Sequence, residues 1–217
     1  DFYNKLWIKA NRTLYVTMRD TYMDCPERER AQWWGDMVNE SGEAFYALSP
    51  SAATLTKKGM LELINWQRID GTIFSPVPQG NWDRELPGQM LASVGYYGFW
   101  NYYMNTGDKK TIARVYDGVK RYLDVWQIKD NGTLVEREGD WYWGDWGQKI
   151  DKQLLFNAWY YLALKAFANM SELLGNEPEL ASTREEMVAF KESFNTVFWD
   201  GKGYRTASYE GFPYGRG

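Results

Sequence analysis

The 217-residue sequence contains no histidine. Triads built on imidazole, histidine metal centres and imidazole proton shuttles are therefore excluded, leaving carboxylates as the obvious proton carriers. Cys25 is the single cysteine, so no internal disulfide can form and the redox compartment stays open. There is no run of Lys or Arg, and the formal net charge is −4, which argues against nucleic acid and anionic membrane as partners. No stretch approaches the roughly 18 apolar residues of a membrane span, and no signal peptide is visible. The reading is a soluble chain of open compartment, periplasmic or secreted if a longer parent carries a signal peptide.

Aromatic residues, by contrast, are abundant: they make up 18 % of the chain, with 12 Trp and 16 Tyr. That is more ring surface than a core usually requires, so ligand-facing aromatic walls and dense packing both remain open. Hydrophobic residues at 44 % and charged residues at 25 %, evenly spread, describe a globular chain. Four Asn-x-Ser/Thr sequons, at Asn11, Asn39, Asn131 and Asn169, read as chance matches.

Hydrophobic periodicity predicts helices over 2–18, 37–48, 52–67, 88–105, 108–126 and 152–174. Ser182-Thr183-Arg184-Glu185 fits a capping box opening a further helix to about residue 198. Thr133 to Val135 reads as a short strand, and Asp200-Gly201 opens a hairpin near Tyr204. Between the helices, short turns alternate with long stretches rich in acids and tryptophan, notably 69–88 with Trp82 and 128–151 with Trp141, Trp143 and Trp146. Long loops in compact domains are usually functional or disordered. The alternation predicts stacked helical hairpins with the long loops collected on one face.

The densest constellation lies at residues 24–36. Pro26 suits the first position of a helix. A helix from Pro26 to Gly35 would set Glu29, Trp33 and Asp36 on one face, with Asp24 just ahead of it. Two acids and an aromatic plane on one face suit a sugar, whose C–H face stacks on indole while carboxylates grip its hydroxyls. The alternative is ordinary solvated carboxylates on a helix that buries Trp33 and Trp34. Arg28 and Arg30 would push the Glu29 pKa down, so an acid role requires burial or Asp24 and Asp36 to outweigh them. Asp140 and Asp145 could cap or turn the chain instead of touching ligand. Their spacing does not match a calcium loop of the EF-hand type, and no metal or cofactor is expected.

The run from Asp24 to Asp36 resembles the signature of the α-L-rhamnosidases of glycoside hydrolase family 78, Asp-Cys-Pro-x-Arg-Glu-x-x-x-Trp-x-Gly-Asp. Asp24, Cys25, Pro26, Arg28, Glu29, Trp33, Gly35 and Asp36 match every fixed position. Gly144-Asp145-Trp146 is similar to the family's Gly-Asp-Trp segment, and the resemblance runs from the first helix to the hairpin near Tyr204. Around Trp82 the sequence departs from the family's Trp-x-Asp pattern by reading Trp82-Asp83-Arg84-Glu85.

The resemblance implies an all-α (α/α)6 barrel with a short β-hairpin insertion. Seven or so helices supply only the first half to two-thirds of such a barrel, so residues 1–217 are expected to be part of one catalytic domain truncated at its C-terminus. It implies hydrolysis of terminal α-L-rhamnosides with inversion, using Glu29 as general acid and a base outside this chain. Asp24, Arg28 and Asp36 would hold rhamnose hydroxyls, Trp33 and Trp146 would wall the pocket, and Asp145 and Trp82 would also contact substrate. The implied partners are a rhamnose-containing glycan or glycoside and the remaining domains of the parent protein. A different sugar specificity on the same fold, or a non-catalytic carbohydrate-binding module, is the alternative.

Overall fold

The computed structural model describes residues 1–78, 83–137, 139, 141, 142, 144, 147 and 149–211. Its regular structure is helical: α1 (Phe2–Thr17), α2 (Trp34–Ala47), α3 (Ala53–Asn65), α4 (Pro87–Val94), α5 (Asn101–Thr106), α6 (Lys109–Leu123), α7 (Lys152–Leu174) and α8 (Glu177–Phe198). A π-helical turn, Tyr96–Trp100, joins α4 to α5, so the two form one bent rod. Among the described residues, β pairing is limited to isolated bridges, including Ile128 with Leu134 and Trp199 with Tyr204. The expected strand at Thr133–Val135 is thus one arm of a tight hairpin. No helix is long and apolar enough to cross a membrane among the described residues.

The helices form two curved rows. The α2, α4 and α7 helices pack side by side as an inner row, and α1, α3, α6 and α8 back them. Trp34, Met37, Met90, Leu91, Phe99, Ile112, Val119 and Tyr122 are sealed between the rows, each at most 1 % exposed. Burying large apolar side chains is the dominant favourable term in folding, and here it fixes the spacing of the rows. These are the stacked helical hairpins that the alternation predicts, and they form part of the (α/α) barrel that the resemblance implies. Each inner helix is preceded by a long connection (18–33, 66–86 and 124–151). Short turns follow α2, α5 and α7; Gly107 and Gly175 end the last two in the left-handed conformation.

Three expected boundaries are wrong. No helix runs from Pro26 to Gly35: residues 26–29 form a turn, Arg30 adopts φ of 51°, and helix begins at Trp34. Asp24 causes this. Its N–H donates to the Ala31 carbonyl and its Oδ1 accepts from the Ala31 N–H, both at 3.0 Å, closing a loop that competes with helical bonding. The helix predicted over 88–105 is interrupted at Gly95. A Cβ there would lie 2.6 Å from the Leu91 carbonyl and 3.1 Å from the Ala163 Cα, so glycine permits the close approach of the bent rod to α7. Ser182 caps nothing, since α8 starts at Glu177 after Asn176 and takes Pro178 in its first turn.

Candidate active site

The first turns of the three inner helices line a single cleft of about 880 Å³. Gly35 and Asp36 come from α2, Gly88 and Gln89 from α4, and Leu155 and Phe156 from α7. The preceding connections add Asp24, Cys25, Arg28, Glu29, Trp33 and Trp141. The helical face expected for Glu29, Trp33 and Asp36 is absent, yet the cleft gathers all three by tertiary means.

The 24–33 segment is held rigidly from below. Gln32 is 2 % exposed; its Nε2 donates to the Val77 carbonyl at 2.7 Å, and its Oε1 accepts from the Tyr22 N–H at 3.3 Å. The Trp34 N–H donates to Ser75 Oγ at 2.9 Å. The adjacent tryptophans therefore divide: Trp34 is in the core, edge-on to Phe99, while Trp33 stays half-buried in the cleft. There its ring lies 5.9 Å from that of Trp141, tilted by 48°.

Glu29 is held by two of its motif neighbours. Arg28 Nη2 is 2.5 Å from its Oε1, and Cys25 Sγ donates to its Oε2 at 3.1 Å. The Arg28 hydrogen bond is the largest reason its pKa falls to about 2, with smaller contributions from Asp24 and Cys25. Asp24 moves the opposite way. Burial raises its pKa, and its hydrogen bond with Glu29 raises it further. The two carboxyls are thus pushed in opposite directions, because Arg28 stabilises charge on Glu29 while Asp24 is the more buried of the pair. Ligand atoms of Asp24, Cys25 and Glu29 all lie within 4.8 Å of one another, so among the described residues these three could converge on a cation. In this structure Arg28 supplies that positive charge.

Of the other expected contacts, Asp36 is exposed at the first turn of α2 and faces the cleft. Trp82, Asp145 and Trp146 lie outside the described residues. Gln89, Tyr97 and Trp159 were not expected at the cleft, since their helices read as core. The polar Gln89 in an otherwise apolar run was the available signal. Its amide lies flat against Gly35, where a Cβ would come within 2.7 Å of it.

Three carboxylates, a guanidinium and two neighbouring indoles thus meet at the loop end of an α/α hairpin scaffold. The model of the bacterial α-L-rhamnosidase six-hairpin glycosidase domain matches residues 1–211, and the chain belongs to that family. Among solved structures, the GH78 family rhamnosidase of Bacillus sp. GL1 superposes with a TM-score of 0.76 at 22 % identity. The Klebsiella oxytoca rhamnosidase solved with rhamnose bound gives 0.77 at 18 %, and the native α-L-rhamnosidase of Aspergillus terreus gives 0.70 at 18 %. Each match covers 91 % of this chain, but the chain spans only 21 %, 40 % and 24 % of those three chains, respectively. No curated protein matches at a significant level.

Proposed function

We propose that this chain forms part of the catalytic barrel of an inverting α-L-rhamnosidase, with Glu29 as general acid and the general base outside these 217 residues. The observation that carries the reading is the complete thirteen-residue motif, folded so that Asp24, Arg28, Glu29, Trp33 and Asp36 line one cleft. Inverting hydrolysis places two carboxyls about 6.5–9.5 Å apart to admit a water between them. Asp24 and Glu29 are too close for that, with ligand oxygens within 4.8 Å. Asp24 is thus a hydroxyl-holding and proton-sharing partner of Glu29 and not its base.

Arg28 gives the acid a binding-dependent pKa. In the free cleft it keeps Glu29 ionised, which suits no general acid at neutral pH. A rhamnose hydroxyl that takes over the exposed guanidinium, together with the exclusion of water by Trp33 and Trp141, raises the Glu29 pKa in the complex. The carboxyl then protonates the leaving glycosidic oxygen. Asp36 holds a second hydroxyl, and a water activated from the far side of the sugar completes the displacement. Asp145 and Trp146 join the same contact set through the Gly-Asp-Trp match, and Trp82 through its place in a long loop with Asp83 and Glu85.

The test is Glu29→Gln in the protein that carries the whole barrel. Hydrolysis of an aryl α-L-rhamnoside is expected to fall by about 10²–10⁴-fold, and near-normal turnover would sink the assignment. The 217-residue chain alone is expected to hydrolyse little. Appreciable turnover by it would place the base among Asp36, Glu43 and the other acids present.

A further inference from the structure

Among the described residues, a bidentate ion pair joins two of the three long connections. Arg137 donates from Nη2 to both carboxylate oxygens of Glu85 at 2.6 Å, and from Nε to Oε1 at 3.0 Å. Glu85 is 4 % exposed. Burial raises its pKa while Arg137 opposes that rise, as expected for a carboxylate that is tolerable inside only while paired. The guanidinium also lies over the Trp126 ring, 6.0 Å from its centre. Two residues on, Gly139 sits directly against Pro87 and Glu85, where a Cβ would approach to 2.6 Å and 3.1 Å. Arg137 and Gly139 are therefore clamped onto Glu85 and Pro87, at the start of α4.

The clamp lies four residues before Trp141, whose φ of 70° is unusual for a bulky residue. Backbone in that region persists only where the surroundings over-determine it. Beyond Trp141 the segment is held from the other side: Tyr142 meets Phe156 edge-on at 4.8 Å, and its carbonyl accepts from Lys152 Nζ at 3.0 Å. Trp141 is strung between two anchors, and its ring reaches Trp33 in the cleft.

We infer that Glu85 and Arg137 are positioning residues that set the Trp141 wall of the sugar cleft, so that substrate affinity depends on an ion pair that does not line the cleft. The inference rests on the proposed function for what the wall binds, but not for the wall's placement. Two readouts separate the layers. On this chain, the far-ultraviolet circular dichroism of the coupled Trp33–Trp141 indoles is isolated as the difference between wild type and Trp141→Phe. Arg137→Lys keeps the charge but loses the fork, and Glu85→Gln keeps the shape. Both are expected to lose most of that difference signal while the helical signal stays. In the protein with the whole barrel, either variant is expected to raise KM for an aryl α-L-rhamnoside about tenfold with kcat changed less than about threefold. Combination with Trp141→Phe should add no further loss, because both changes remove the same wall. Retention of the indole signal in both variants, or a KM effect that adds fully to that of Trp141→Phe, overturns the inference. Loss of the signal in a protein that neither binds rhamnose nor cleaves the rhamnoside upholds the clamp and overturns only the function.

Discussion

Glu40 sits on α2 beside Thr17, and its Oε2 is shielded from water with no hydrogen-bond partner among the described residues. Burial is the main reason its pKa rises from 4.5 to about 8, and the charges of Asp36, Glu43 and Asp24 push the same way. The native state therefore keeps a proton that the unfolded chain releases above its ordinary value. Stability falls as pH rises from about 4.5 to about 8 and then levels. Glu40→Gln is expected to flatten that slope and to stabilise the fold by roughly 1–3 kcal/mol at pH 8. Urea unfolding at pH 5 and pH 8 checks it; an unchanged slope would show that Glu40 is already ionised. Gly88 offers a second residue-scale test. A Cβ there would lie 2.3 Å from the Phe156 ring, which lines the cleft. Gly88→Ala should cost about 1–3 kcal/mol by overpacking and should weaken rhamnose binding by pushing Phe156 into the site, as calorimetry would register.

At the scale of the elements, Asp108 ties three rods together. It caps α6 by accepting from the Thr111 N–H at 3.1 Å, and its Oδ2 accepts from Thr111 Oγ1, Lys57 Nζ and Tyr102 Oη. The Thr111 hydroxyl is the largest cause of a pKa held well below 3.8, with Lys57 and Tyr102 adding to it. Its contribution is present above that value and is lost as pH falls through the depressed one. Asp108→Ala should cost about 1–2 kcal/mol at neutral pH, and Asp108→Asn should blunt the acid-induced loss; denaturant midpoints across the acid range measure both. This cap was legible in the sequence, as were Gly107, Gly175 and most of the helices, because capping and period 3.6 are local signals. The 26–35 segment was misread for the opposite reason: its shape depends on Asp24 bonding Ala31 and on Gln32 reaching Val77, contacts 7 and 45 residues apart in sequence. Ser182 failed as a cap because Asn176-Glu177-Pro178 had already started the helix. For the site, the eight motif positions were legible, and all but Pro26 line the cleft. Trp141 was not singled out in the sequence, since its ring contact with Trp33 is made between segments distant in the chain.

Across the whole molecule, apolar surface is left uncovered on both rows. On α1, Phe2 is 71 % exposed, Leu6 54 %, Trp7 54 %, Ile8 66 % and Tyr15 66 %; Tyr46 on α2 is 81 % and Tyr97 in the π-helical turn 52 %. Exposed aromatic and aliphatic groups in that number favour association and dye binding. The 217-residue chain on its own is expected to bind an anilinonaphthalene dye in its folded state and to elute with a concentration-dependent mass. A dye-silent monomer at all concentrations would mean that these side chains rearrange to cover one another.

The convergence of three helix beginnings on one cleft carries an electrostatic consequence. Each start of α2, α4 and α7 brings the positive end of a peptide dipole, equivalent to roughly half an elementary charge, to this end of the scaffold, with Asp151 capping α7. Together with Arg28 they make the scaffold at this end electropositive before any acidic side chain is counted. A glycosidic transition state has oxocarbenium character and is itself positive, so the bare scaffold opposes the chemistry proposed for it. Asp24, Glu29 and Asp36 reverse that field, and on this view the motif needs three carboxylates because a single acid would leave the sugar cation facing a net positive wall.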